Sequence, residues 1–307
     1  MIPCDRSIAE KNDNEYKGFP MTFEHYTGNE YTFTVPSAID GTALSTIGAK
    51  AFLSNKTLHE LILPDTITAL DNWAFAHMHN LERLHVPCTN LQLGRQVFLD
   101  CPKLRYISVS NDTSKNPGLP YFLASVLMLL QKECLFIPQS AADKLTHADW
   151  MKEYDSALFT YLNTPDDAGF EPVFYGWFNV QDVDDQLPAY LQEVRRKKTY
   201  LVFLRLLYPL YLHPDHKAQL QSYLADHVPG GAREKEHIAV WDSLKEDGYG
   251  EDIRYIHVLE NAGILTETQI ARLLTYLQPG NPEVIAYLLK LHDSCRNGDN
   301  SFNQFIL

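Results

Sequence analysis

The chain has 307 residues, of which 45% are hydrophobic, so it can bury sizeable cores and its length suits two domains. Its formal net charge is −13, and an acidic protein repels phosphate backbones, which argues against general nucleic-acid binding. An odd number of scattered cysteines does not indicate a disulfide framework; they are Cys4, Cys88, Cys101, Cys134 and Cys295.

The N-terminal stretch Met1–Pro20 is polar and lacks the apolar core of a signal peptide. We therefore expect a cytoplasmic location and no association with a membrane. If a signal peptide has been removed from the natural protein, the cell surface or the extracellular medium is the expected location instead.

Residues 31–110 contain a repeat of 23 residues, in which four apolar columns recur. A period in this range is typical of a solenoid, whose units bury their apolar faces only by stacking on one another. The columns are Phe52, Phe75 and Phe98; Leu58, Leu81 and Leu104; Leu61, Leu84 and Ile107; and Leu63, Val86 and Val109.

Each repeat is predicted to contain one short strand. Leu61–Leu63 and Leu84–Val86 alternate between apolar columns and other side chains, which favours a strand with one buried face. Pro64 and Pro87 follow at once and are expected to end the strands. We expect the phenylalanine column to fill the space between successive coils.

The strand side chains between the buried leucines are the predicted binding surface. One column is Glu60, Arg83 and Tyr106, and the next is Ile62, His85 and Ser108. They should point away from the core, where a partner can lie across several repeats, and arginine and tyrosine often anchor interfaces. Residues 31–110 hold six acidic and six basic side chains, so this region is neutral. Alternatively, the helical domain folds over this face and uses the same residues internally.

Metal-capable residues cluster at His77, His79, His85 and Cys88. Zinc needs ligands that converge tetrahedrally, whereas the repeat places the first two histidines on a turn and His85 on a strand. We therefore expect surface histidines and no metal site. The sequence also lacks a Gly-rich phosphate loop, a Gly-x-Ser-x-Gly elbow and a His-Glu-x2-His helix. These observations predict no catalytic residues and no cofactor.

The repeat resembles the bacterial surface-antigen (BspA-type) leucine-rich repeat family, whose units have about 23 residues. The matching residues are Ile47-Gly48-x2-Ala51-Phe52-x5-Leu58-x2-Leu61-x-Leu63-Pro64, Leu70-Asp71-x2-Ala74-Phe75 and Leu93-Gly94-x2-Val97-Phe98-x2-Cys101-x2-Leu104. Asp71 replaces the glycine of this pattern, and Asn55 and Met78 stand at the position of Cys101. The segment Val35–Gly41 looks like a first coil with a five-residue expansion before Ile47. The resemblance implies a solenoid and, since members are often surface proteins, adhesion.

Beyond Asn116-Pro117 the repeat disappears and the sequence becomes helical. The apolar run 120–138 is interrupted by Gln131-Lys132-Glu133, and we expect it to cap the solenoid. We predict a leucine-rich repeat solenoid with caps over residues 1–140 and an α-helical domain over residues 141–307. The predicted fold class is therefore α+β.

Helical spacing predicts helices at Asp149–Leu162 and Leu187–Tyr208. Gly263 should stop a helix, Thr266 and Gln269 form a capping box, and Asn281-Pro282 should start the last helix. The basic run Arg195–Lys198 is expected to be a solvated helix face. Asp182-x-Asp184-Asp185 is expected to precede the helix near Leu187 as an acidic N-terminal segment.

The aromatic islands Phe174-Tyr175 and Trp177-Phe178, within the loop 164–186, indicate either a packed loop, which we favour, or a binding element. The sequence as a whole predicts a non-enzymatic protein that binds another protein through the solenoid strand face, the helical domain or both. One alternative is an enzyme or small-ligand receptor with a pocket near Trp177 or Trp241. A second alternative is a cell-surface adhesion protein. The oligomeric state is left open.

Overall fold

The computed structural model describes residues 21–87, 91–110, 116–130, 147–171, 181–233 and 238–297. The chain divides into two compact units between Ala157 and Leu158. The predicted domain boundary at residue 140 lies outside the described residues and stays a prediction.

The first unit is built from short strands in two mostly parallel sheets. One sheet has the order β1-β4-β6-β8, with β3 paired to β4 in the antiparallel sense, and the other has the order β2-β5-β7-β9. The strands are β1 Met21–Phe23, β2 Thr32–Thr34, β3 Ala38–Ile39, β4 Thr42–Ile47, β5 Glu60–Ile62, β6 Ala69–Leu70, β7 Arg83–Val86, β8 Gln92–Leu93 and β9 Tyr106–Val109.

Strand pairing reproduces the 23-residue period. Leu61 of β5 pairs with Leu84 of β7, which pairs with Ile107 of β9. The solenoid followed by helices confirms the predicted fold class. The coils also carry a second set of strands, such as β6 and β8. These strands were not predicted, because two residues are too few to show an alternating pattern in the sequence.

The predicted expansion of the first coil folds as a β-hairpin. Strands β3 and β4 pair through Ala38 with Ala43 and Ile39 with Thr42. The two residues between them, Asp40 and Gly41, have φ angles of 49° and 80°. Positive φ at both central residues is the geometry of a tight hairpin turn that favours Asp-Gly.

The core of the solenoid contains a column of phenylalanine rings. The centroids of Phe52 and Phe75 lie 5.5 Å apart, and those of Phe75 and Phe98 are also 5.5 Å apart. Phe23 of β1 stacks on Phe52 at 5.4 Å and extends the column towards the N-terminal end. The leucine-type columns are buried beside it, with exposures of 0–5% for Leu58, Leu61, Leu81, Leu84, Leu104 and Ile107.

Two helices follow the last strand of the solenoid. Helix α1 spans Leu119–Leu130 and packs on β9, and helix α2 spans His147–Asn163. Within the first unit, the hydroxyl groups of Ser125 and Tyr154 are hydrogen-bonded at 2.9 Å, and Phe122 contacts the Tyr154 ring. Helix α1 therefore covers the end of the sheet at β9, while residues 131–138 of the predicted cap lie outside the described residues.

The second unit is helical, and the end of α2 belongs to it. Its long helix α3 contacts α4, α5 and α6, while α7 packs on α8. None of the described helices is long and apolar enough to cross a bilayer. The helices are α3 Gln181–Leu207, α4 Pro214–Asp226, α5 Ala239–Glu246, α6 Ile253–Asn261, α7 Glu267–Tyr276 and α8 Pro282–Asn297, with a 3-10 helix at Tyr249–Glu251.

The predicted helix ends in this unit are confirmed. Thr266 caps α7 by accepting a hydrogen bond from the backbone N–H of Gln269. Gly263 follows α6 with a φ of 70°, and Asn281 Oδ1 accepts a hydrogen bond from the Glu283 N–H at the start of α8. These contacts satisfy backbone groups that a helix end leaves unpaired.

Two expectations for α3 are wrong. The helix begins at Gln181 rather than Leu187, so the acidic segment lies inside it and Pro188 is accommodated near its start. The basic run is no solvated face: Lys198 is 2% exposed and its Nζ lies 2.8 Å from Asp166 Oδ1. Arg195 donates to the other oxygen of the same carboxylate at 2.7 Å. The charged ammonium group of Lys198 can be buried because it is paired with the carboxylate of Asp166.

Phe75 is fully buried between two neighbouring rings. Phe75→Ala should therefore leave a cavity and lower the free energy of unfolding by roughly 3–5 kcal/mol, measured by urea denaturation. The control Leu53→Ala truncates a side chain that is 36% exposed and should cost less than about 1 kcal/mol. If Phe75→Ala unfolds at the urea concentration of the parent, the column does not stabilise the solenoid.

His227, at the end of α4, is a buried histidine that should make stability depend on pH. Its Nδ1 lies 2.7 Å from the Tyr223 carbonyl oxygen, and its Nε2 lies 3.3 Å from Arg233 Nη1. Burial and the nearby Arg233 charge lower the pKa of His227 below its usual 6.5, although the hydrogen bond to Tyr223 opposes the shift. The unfolded chain therefore takes up a proton near pH 6.5 that the folded chain does not.

Because of this difference, the free energy of unfolding should fall as the pH drops below about 6.5, by at most about 1.4 kcal/mol per pH unit for one proton. His227→Gln should flatten this dependence between pH 7 and the lowered pKa, as measured by urea denaturation at a series of pH values. An unchanged slope would show that His227 is not responsible.

Candidate functional site

The strand face is the set of six predicted binding residues on β5, β7 and β9: Glu60, Ile62, Arg83, His85, Tyr106 and Ser108. All six side chains are half-buried and alternate with fully buried core positions. The structure brings them together because the three strands pair in register at 23-residue intervals. Binding by these residues stays a prediction.

Neighbouring coils contact one another through the first column of this face. Arg83 Nε donates to Glu60 Oε1 at 3.2 Å, and the guanidinium carbon lies 3.8 Å from the centre of the Tyr106 ring. On the preceding strand β2, Thr32 Oγ1 donates to Glu60 Oε2 at 3.3 Å. Four strands therefore share a continuous row of polar and cation–π contacts.

The second column is joined to the first through His85. Its Nε2 lies 2.9 Å from Glu60 Oε1, and its Nδ1 is hydrogen-bonded to the Ser108 hydroxyl. With Nε2 donating to the carboxylate, Nδ1 accepts from the hydroxyl. Ile62 adds an apolar surface beside this network. The hydrogen bond from His85, aided by Arg83, lowers the pKa of Glu60 below its ordinary value.

These contacts limit the freedom of the side chains on the strand face. Arg83 is held between a carboxylate and an aromatic ring. The ring of Tyr106 also meets that of Tyr121 in α1 at an angle of 85°, with centroids 5.3 Å apart. Side chains that are already ordered lose less conformational entropy when they bind a partner. The strand face is therefore an ordered surface whose glutamate and arginine neutralise one another.

Similar columns occur at the turns and were not predicted from the sequence. Trp73 Nε1 donates to Gln96 Oε1 at 2.8 Å, and Lys103 Nζ donates to Asn80 Oδ1 at 2.7 Å. Each pair is separated by 23 residues. Pairing every polar residue with the one at this spacing would have found these contacts from the sequence.

The four metal-capable residues named above separate into two places. His77 and His79 lie on the turn after Phe75, His85 lies on the strand face, and Cys88 is outside the described residues. Asp100, which was not among the metal-capable residues predicted to cluster, contacts the two turn histidines. Its Oδ2 lies 3.0 Å from His77 Nδ1 and 2.7 Å from His79 Nε2.

The alternative of a small-ligand pocket near Trp177 or Trp241 stays a prediction. Trp241 is 1% exposed in the helical core, and Trp177 lies outside the described residues. A shallow pocket of about 870 Å³, open to solvent, lies in the second unit and does not include Trp241 in its lining. It is lined by Lys245, Glu267, Thr268, Ala271, Arg272, Thr275, Tyr276 and His292.

His85→Ala should raise the pKa of Glu60 towards 4.5, because the hydrogen bond from His85 makes the largest contribution to lowering it. A carboxyl carbon NMR titration measures the change. His59→Ala is the control, since His59 contacts Glu82 instead. In the parent, the stability contributed by the ionised Glu60 should be present above pH 4.5 and be lost as the pH falls through its lowered pKa. An unchanged Glu60 pKa in His85→Ala would contradict the hydrogen bond.

No curated protein matches this sequence. The crystal structure of the T. pallidum leucine rich repeat protein is similar to 32% of the chain, with 24% identity and a TM-score of 0.27, and the match spans 49% of that protein's chain. A family model described as a BspA type leucine rich repeat region of six copies matches residues 28–118. This match confirms the resemblance found in residues 31–110. Residues 28–118 are therefore a BspA-type leucine-rich repeat region.

Proposed function

We propose that this protein is a non-enzymatic interaction protein that binds another protein through the strand face. The observation that carries the proposal is the row of contacts from Glu60 through Arg83 to Tyr106, which presents one ordered surface across three coils. Leucine-rich repeat solenoids typically bind proteins, and an extended strand surface suits a partner that contacts several repeats at once.

The chemistry of the strand face supports a partner of mixed polarity. Arg83 and Glu60 form an ion pair, so the surface carries little net charge to attract a strongly charged ligand. The Tyr106 ring and Ile62 offer apolar area, and Arg83 and Tyr106 are residue types that often contribute most of an interface's binding energy. A folded protein or a peptide with aromatic and polar side chains fits this surface.

Arg83→Ala and Tyr106→Ala should each weaken binding of the partner by at least about tenfold, because hot-spot residues contribute roughly 2 kcal/mol or more. The partner is first captured from native cells by the parent protein and then purified, and its dissociation constant is measured by calorimetry. Each variant should unfold within about 1 kcal/mol of the parent, since both side chains are half-buried.

The matched control is Arg95→Ala, which removes the same charge from an exposed turn residue away from the strand face and should leave affinity unchanged. If both strand-face variants bind like the parent, the partner binds elsewhere and the proposal is wrong. Saturable turnover of a metabolite by the purified protein, with no partner captured, would instead favour the enzyme alternative.

A further inference from the structure

We propose that His77, His79 and Asp100 form a binding site for a divalent transition-metal ion, and for Zn²⁺ in particular. Their ligand atoms all lie within 4.8 Å of one another. Among the residues that the structure describes, this is the one group of three or more histidine, cysteine or acidic side chains with that geometry. The site lies on a turn of the solenoid and is separate from the strand face.

The repeat itself brings these residues together. His77 and Asp100 occupy the same place in consecutive coils, 23 residues apart, and both have left-handed φ angles, of 58° and 55°. The His77 backbone N–H donates to the Leu99 carbonyl at 2.7 Å, and the Phe75 N–H donates to the Val97 carbonyl at 3.0 Å. Two of the three ligands therefore project from backbones that coil stacking holds in place.

The ligand atoms of this site suit zinc better than they suit magnesium or calcium. Two imidazole nitrogens and one carboxylate oxygen are a known set for zinc sites with three protein ligands, whereas magnesium and calcium prefer oxygen donors. Bonds of about 2.0–2.1 Å in a tetrahedral site separate ligand atoms by about 3.3 Å. The Asp100 oxygen lies 3.0 and 2.7 Å from the two nitrogens, and all three ligand atoms lie within 4.8 Å of one another, which brackets the spacing of such a site.

Partial exposure leaves room for a further ligand. The side chains of His77, His79 and Asp100 have exposures of 44%, 56% and 48%. A water molecule or a group from another protein can therefore occupy the fourth coordination position. Without metal, the carboxylate accepts a hydrogen bond from one nitrogen of each ring. When the metal binds, each neutral ring carries its proton on the other nitrogen, and the freed nitrogen is the ligand.

The test is calorimetric titration of the full chain with zinc chloride, with Asp100→Asn and His77→Asn as variants. Asparagine tolerates a left-handed backbone, so both substitutions preserve the turn. Each should weaken binding at this site by at least about tenfold, since even loss of a residue that only orients a ligand costs 10–100-fold. Magnesium chloride should produce no binding at the same concentrations.

His59→Asn is the matched control. His59 Nδ1 lies 3.0 Å from Glu82 Oε1, also 23 residues away, but the described residues supply no third ligand to this pair. Its zinc affinity should equal that of the parent. Zinc bound equally by the parent, Asp100→Asn and His77→Asn, or no zinc bound by the parent, would overturn the proposal.

Visible absorption spectra of bound Co²⁺ provide a second measurement, which reports the ligands of the metal directly and not the free energy of unfolding of the variants. Co²⁺ substituted for Zn²⁺ should give visible absorption of a site with nitrogen and oxygen ligands in the parent and in His59→Asn. The bands should be lost in Asp100→Asn and His77→Asn. Bands that persist in both of those variants would place the metal elsewhere and overturn the proposal.

Discussion

In-register stacking of successive coils is the constraint on which the rest of the first unit depends. Parallel backbone pairing aligns residue i of one coil with residue i+23 of the next, as in Leu61, Leu84 and Ile107. Apolar columns then become continuous cores, and the phenylalanine column is one of them. A coil cannot shift along its neighbour without moving every core side chain out of its column.

The same alignment organises the polar surface. Glu60, Arg83 and Tyr106 contact one another because pairing places them side by side, not because they are near in sequence. His77 and Asp100 meet at a turn for the same reason. Each exposed column can therefore carry a different set of polar side chains, provided that neighbouring side chains in the column form favourable contacts. The buried columns stabilise the fold independently of these side chains.

Features that depend on the 23-residue period, or on residues that cap helices and end strands, were predicted from the sequence. Column positions, the strands at β5 and β7, and the caps at Thr266 and Asn281 follow from spacing and from backbone groups that need partners. Features that depend on tertiary partners were missed. Lys198 is buried because Asp166 and the carbonyl oxygens of Leu162 and Thr164, at the end of α2, surround its ammonium group. Nothing near residue 198 in the sequence signals these partners.

The hairpin formed by β3 and β4 shows where such a solenoid can accept inserted residues. Its extra residues are accommodated at a corner of one coil, while the pairing of β4 with β6 continues undisturbed. Corners between the two sheets can therefore absorb insertions without altering the strand face. This position is a natural point for grafting an epitope or a fluorescent label, and for lineages to diversify by insertion while the stacked framework stays intact.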